Sequence, residues 1–92
     1  MVEVHAEARG EDWLCDVTVD QSDGRTRHAV TVRRPDLERW ADGTAREDVE
    51  SLVAKSFDFL LEREPPSAIL ATFDLAVIQR YFADYDHTFR RR

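Results

Sequence analysis

The stretch WLCDVTVDQSDGRTRHAVTV, residues 13–32, decides the fold. Its first part alternates: Trp13, Cys15, Val17 and Val19 share one side of an extended chain, and Asp16, Thr18 and Asp20 share the other. Period-two alternation marks a half-buried strand, here over 13–21. Residues 26–33 form a second run, β-branched at Thr26, Val30, Thr31 and Val32. Between the runs stands Asp23-Gly24, a hairpin signal, because a type I′ turn needs positive φ at both central residues. A two-residue loop there pairs Ser22 with Arg25. Further out it pairs Val19 with His28, Val17 with Val30, and Cys15 with Val32. The apolar positions then fall on one face. A three-residue loop would set Val19 against Arg27 and break the pattern, since a slip of one residue flips every side chain.

Outward toward the N-terminus, residues 2–8 alternate again, with Val2, Val4, Ala6 and Ala8 on one side and Glu3, His5 and Glu7 on the other. A loop centred on Gly10-Glu11 pairs Ala8 with Trp13, Ala6 with Cys15, and Val4 with Val17, so small residues oppose large ones. The polar face then sets His5 opposite Asp16 and Asp20 opposite Arg27. Two turns therefore predict one three-stranded antiparallel meander over 2–8, 13–21 and 26–33.

Outward toward the C-terminus, Arg34-Pro35-Asp36 ends the third strand, because proline cannot donate to a ladder but suits a first helical turn. Leu37, Trp40 and Ala41 share a helical face, and Gly43 reads as a stop. Thr44 to Glu47 fits a capping box, with Asp48 and Glu50 favouring the positive end of the helix dipole. Val49, Leu52, Val53, Phe57, Leu60 and Leu61 then mark a long helix over about 45–63. Pro65-Pro66 ends it. Ser67 is placed to cap a short helix through Phe73, and Asp74 another from Leu75 to Phe82. Residues 83–92 read as a loose tail with Tyr85 and Phe89 as anchors. The expected fold is one small α+β domain: the meander, covered by the long helix, with two short C-terminal helices.

Composition narrows the function classes. The net charge is −6, and without Arg90, Arg91 and Arg92 the rest carries −9, which would repel a phosphate backbone. Nucleic acid is therefore a disfavoured partner, and the arginine tail reads as a solvated terminus. Cys15 is alone, so there is no internal disulfide. The N-terminal MVEVHAEARGED has neither a basic nor an apolar leader region, and no apolar run is long enough to span a bilayer. The expectation is a cytoplasmic protein that neither enters a membrane nor carries a signal peptide. Lys55 is the only lysine among thirteen basic residues, which reads as the codon bias of a G+C-rich bacterial genome.

No pattern of catalytic or cofactor-binding residues stands out. A nucleophilic Cys15 would need a base beside it, and His28 shares its face but on the core side, where cysteine behaves as a small hydrophobe. His5, His28 and His87 lack ligand spacing for a metal. There is no Gly-rich phosphate loop and no basic patch interleaved with aromatics. Asp58, Glu62 and Glu64 form a short acidic group, with Arg63 and Arg80 as candidate internal partners. No catalytic residue, cofactor or metal is predicted, and the chain is expected not to be an enzyme.

The aromatic excess points elsewhere. SFDFLLEREPPSAILATFDLAVIQRYF, residues 56–82, holds all but one of the five phenylalanines. Phe59 lies off the main stripe of the long helix, so the apolar face is wide and needs a second cover besides the sheet. Phe59, Tyr81, Phe82 and Tyr85 are therefore the candidate partner-binding residues, for a protein partner or for self-association as a homodimer. An accessory or interaction role is the leading expectation. The alternative is an antitoxin-like or regulatory protein, for which the acidic charge suits a basic partner protein.

The same block resembles a family of small uncharacterised bacterial proteins with a pattern S-F-x-F-L-L-E-R-E-P followed by F-D-L-x-V-I-x-R-Y-F-P. Ser56, Phe57, Phe59 to Pro65, Phe73 to Leu75, Val77, Ile78 and Arg80 to Phe82 carry the likeness. Ala68-Ile69-Leu70 and Ala83 depart from it, where the family has S-I-L and proline. The likeness covers about a third of the chain and implies no activity. The order of strands then helix is similar to HicB-type antitoxin domains, but those continue with a strand where this chain is expected to continue with helices.

Overall fold

The computed structural model describes residues 1–22 and 24–90. The chain is α+β, a four-stranded mixed sheet with helices on one face. The sheet order is β1 (Val2–Arg9), β2 (Asp12–Gln21), β3 (Gly24–Val32) and β4 (Thr72–Asp74). The helices are α1 (Arg34–Trp40), α2 (Arg46–Leu61), α3 (Val77–Tyr81) and α4 (Asp84–Phe89), with a 3-10 turn at Pro66–Ala68.

The β1–β2 register agrees with the sequence pattern: Ala8 pairs with Trp13, Ala6 with Cys15, Val4 with Val17 and His5 with Asp16. Gly10 turns the chain at φ +64°, a conformation glycine adopts without a Cβ penalty. The β2–β3 register corrects the expectation by two residues. Val19 pairs with Thr26, Val17 with His28, Cys15 with Val30 and Trp13 with Val32. Gly24, at φ +152°, is a paired strand residue opposite Gln21 and so belongs to β3, not to the expected two-residue loop. Asp23, half of the expected turn, falls outside the described residues. Parity is conserved, so the apolar face survives the shift. The observed register gives Trp13 an apolar partner where the expected one would give it Arg34. It also sets Asp20 opposite Arg25, not Arg27, and those two form an ion pair at 3.0 Å.

The inward face of the sheet is dry: Ala6, Cys15, Val17, Val19, Val30 and Val32 are buried. Helix α2 covers it with Val49, Val53 and Phe57. Burial at this density is the main favourable term in folding. The capping of α2 sits one residue later than the sequence suggested. Ala45 is the N-cap, and its N–H donates to Asp48 Oδ2 at 3.1 Å, so only the reciprocal half of a capping box forms. Gly43 is no left-handed stop; a Cβ there would meet the Asp48 carboxylate at 2.4 Å, so glycine makes room for that cap. Helix α1 ends at Trp40 with the Ala41 N–H donating to Leu37.

Beyond Pro65-Pro66 the expected pair of short helices is corrected. Pro66–Ala68 makes a single 3-10 turn, and Thr72–Asp74 joins the sheet as a strand parallel to β3. The outward N–H of Ala29 donates to Ala71 (2.7 Å), and the Leu75 N–H donates to the Thr31 carbonyl (2.9 Å). An unpaired β3 edge next to the core would strand these groups, so the returning chain satisfies them. Asp74 does not cap a helix running from Leu75. Its Oδ1 accepts from Ala76 N–H, the other carboxylate oxygen pairs with Arg33, and the helix starts at Val77. Residues 84–89, read as part of a loose tail, form α4 with Tyr85 wholly buried. Arg91 and Arg92 lie outside the described residues.

Candidate functional site

The wide apolar face of α2 finds its second cover inside the chain. Phe59 meets Tyr85, Phe89 and Phe82 edge-to-face, at ring separations of 5.4, 5.9 and 6.0 Å. Such T-shaped pairs place a positive ring edge on a negative face. Arg63 locks this corner. Its guanidinium lies 3.5 Å from the Phe59 ring centre, donates to the Phe59 carbonyl at 2.9 Å, and pairs with Asp84 at 3.0 Å. Arg63 also lies 3.7 Å from Glu62, but Asp84 is its close partner, and Arg80 makes no ion pair among the described residues.

The four candidate partner-binding residues therefore separate. Tyr85 (0% exposed) and Phe59 (5%) are interior, which removes them from any surface. Phe82 is half-buried at the edge of a groove, and Tyr81 stands at its rim, 72% exposed. The groove encloses about 390 Å³ between the end of α2, the strand β4 and α3. Leu60, Ile69, Phe73 and Ile78 form its apolar wall, and Glu64 is the one acidic group on it. Leu70, which the sequence did not single out, is 52% exposed on the same wall.

The backbone of Leu70 is anchored from the core side. Its carbonyl is held at 2.7 Å by His28 Nδ1, and a carbonyl only accepts, so Nδ1 carries a proton. His28 Nε2 sits 2.9 Å from Thr26 Oγ1, and the ring tilts over Phe57 at 5.2 Å. His28 thus pins the groove-forming segment to β3 from within. Sequence reading placed His28 on the core side but had no means of pairing it with residue 70.

The reactive groups are spoken for. Burial first, then the charges of Glu50 and Asp16, push the Cys15 thiol up to about 12, which suppresses the thiolate. Burial raises the Tyr85 phenol well above its ordinary value, although the Ser56 hydrogen bond works against the rise. Burial and then Asp74 raise the Asp36 carboxyl, opposed by Arg39 and Arg33. The Trp40 indole N–H, donating to Asp86 at 2.8 Å, and then Arg90 lower the Asp86 carboxyl. Among the described residues no cluster of three or more His, Cys, Asp or Glu side chains is arranged to hold a metal ion. No described helix is long and apolar enough to cross a membrane.

Comparison with protein-family models, with curated proteins and with solved structures gives no match. The groove is therefore read from its own chemistry.

Proposed function

We propose that this chain is a small non-enzymatic interaction protein that docks a partner protein in the groove beside β4. The observation that carries this is the pair of large apolar side chains left in solvent on one groove wall, Leu70 and Tyr81. A groove of this size accepts one or two apolar side chains, and such anchors dominate binding energy at interfaces. Glu64 on the wall and a net charge of −6 select a partner segment with a basic residue next to its apolar anchor. The buried thiol of Cys15 and the engaged nitrogens of His28 support a role without catalysis. The lone cysteine supports placement in the cytoplasm, and the arginine bias and the 56–82 likeness support a bacterial source.

Selection of displayed peptides on the immobilised full chain tests the reading. Enriched peptides carry an aromatic or aliphatic anchor followed by Lys or Arg, and Leu70→Asp abolishes their capture. Equal enrichment on wild type and Leu70→Asp would reject the groove.

A second reading, an antitoxin-like protein that binds a basic toxin, gains from one observation. The chain after α2 returns as β4, the further strand that HicB-type domains carry, although α3 and α4 still follow it. A neighbouring gene that is harmless when expressed alone would count against it.

A further inference from the structure

We propose that the partner enters the groove as an extended strand that pairs with the free edge of β4. This mode of docking rests on the groove reading and adds how the partner is held: main-chain bonds to β4, with one apolar side chain in the groove.

The two edges of the sheet differ. At β1 the Ala6 N–H is taken by Glu50 of α2 and the residue is buried, so that edge is closed. Strand β4 ends the sheet on the other side. Its bonds to β3 fix which of its groups remain. The Ala29 N–H donates to the Ala71 carbonyl and the Leu75 N–H to the Thr31 carbonyl, with Ala29 opposite Thr72 and Thr31 opposite Asp74. In a parallel ladder this turns the main-chain groups of Ala71, Phe73 and Leu75 toward β3, and those of Thr72 and Asp74 away from it. Neither the N–H nor the carbonyl of Thr72 meets a bonding partner among the described residues, and nor does the Asp74 N–H. Thr72 itself is exposed.

Parity ties this edge to the groove. Directly opposed residues of neighbouring strands point to the same face of a sheet. Phe73 points to the helix side, 6.1 Å from Phe57, and lines the groove. A partner residue opposite Phe73 therefore points into the groove, while its two neighbours join Thr72 and Asp74 on the outer face. The next side chain on the groove side lies two positions along. Glu64 on the groove wall selects Lys or Arg there, so the apolar anchor and the basic residue stand two apart. An edge of three residues offers a strand only a few bonds, which limits indiscriminate pairing. The anchor supplies the rest: main-chain bonds give affinity, and a pocket for alternate side chains gives specificity.

Amide hydrogen exchange of the full chain, with and without the tightest peptide from the display selection, tests this. The peptide slows exchange at Thr72 and Asp74 by about tenfold or more, and changes little at Ala29 and Leu75, which are already bonded between β3 and β4. Methylating the peptide nitrogens one at a time abolishes binding at every second position around the anchor, and the phase gives the direction of the strand. Thr72→Pro removes an outward N–H, spares the bonds to β3 and weakens binding by about tenfold, whereas Thr72→Ala does not. Retained protection at Ala29 and Leu75 verifies that Thr72→Pro folds. A peptide whose binding Leu70→Asp abolishes, but which protects neither amide and tolerates methylation throughout, overturns strand addition and leaves the groove reading standing. Binding indifferent to Leu70→Asp, or no enriched peptide, overturns both. Protection of Thr72 and Asp74 without peptide, growing with protein concentration, assigns the edge to a second copy and overturns the proposal.

Discussion

The Tyr85 hydroxyl donates to Ser56 Oγ at 2.7 Å, and Ser56 Oγ in turn donates to the Leu52 carbonyl at 2.7 Å, with both side chains fully buried. Since the serine proton goes to the carbonyl, the phenol must supply the shared bond. This chain of two bonds joins α4 to the middle of α2. Tyr85 also meets Trp40 edge-on at 4.9 Å and stacks on Phe89 at 4.5 Å, so one residue gathers α1, α2 and α4.

Ser56→Ala strands the Tyr85 hydroxyl without an acceptor. Leaving a buried polar group unpaired costs about 1–3 kcal/mol, whereas Tyr85→Phe, which leaves Ser56 bonded to Leu52, costs about 1 kcal/mol. Urea denaturation is expected to rank the two in that order. In the double variant the costs do not add, because the second change removes the group that the first one stranded.

Alkaline pH is expected to unfold the protein through Cys15 and Tyr85. Both are held neutral in the fold, with pKa raised above the ordinary 9.0 and 10.0 of the free groups. Between the unfolded and folded values the unfolded chain binds fewer protons, so stability falls as pH rises. Below about pH 9 these two groups add no pH dependence. The loss should begin near that pH, and Tyr85→Phe should flatten it. Thermal melts across pH 8–11 measure the slope.

His28→Ala releases the Leu70 carbonyl and the Thr26 hydroxyl and leaves a void against Phe57. The expected cost is about 2–3 kcal/mol. The local signature is sharper than the global one. Hydrogen exchange should accelerate at the Ala29 and Leu75 amides, which bond across β3 and β4, while the amides of β2 keep their protection.

Arg63→Ala removes a carbonyl bond, the cation over Phe59, and the pair with a largely exposed Asp84. Exposed pairs contribute little, so most of an expected cost of about 1–2 kcal/mol comes from the ring and the carbonyl. Raising the salt concentration should change the wild-type melting temperature only slightly. Arg63→Lys should not rescue it fully, because lysine lacks the planar fork.

The residues explain what the sequence disclosed. In β1–β2 a glycine at the turn and a clean alternation act together, so the register is legible. In β2–β3 parity is legible but the register is not. The DG signal favours one loop position, while Trp13 against Val32 and Asp20 against Arg25 favour another, and contacts across the sheet win. Helix α2 is long and strongly periodic, so its place is plain. Strand β4 has three residues, too few for any period, and exists because β3 needs a partner. Helix α4 carries only Tyr85 and Phe89 as large apolar residues, four apart; that spacing was its one visible sign. The burial of Tyr85 depends on Ser56, twenty-nine positions away. The groove was half legible: Tyr81 and Phe82 were candidates, but the exposed Leu70, whose carbonyl is held by His28 from forty-two positions away, was not.

The central claim is that partners bind the groove beside β4. The most direct test is two-dimensional amide NMR of the full chain, titrated with a peptide selected on it. The account predicts shifts concentrated at Glu64, Leu70, Phe73 and Tyr81, and none of them in Leu70→Asp. Shifts confined to β1 or to the polar face of the sheet, with residues 64–82 unmoved, would contradict it.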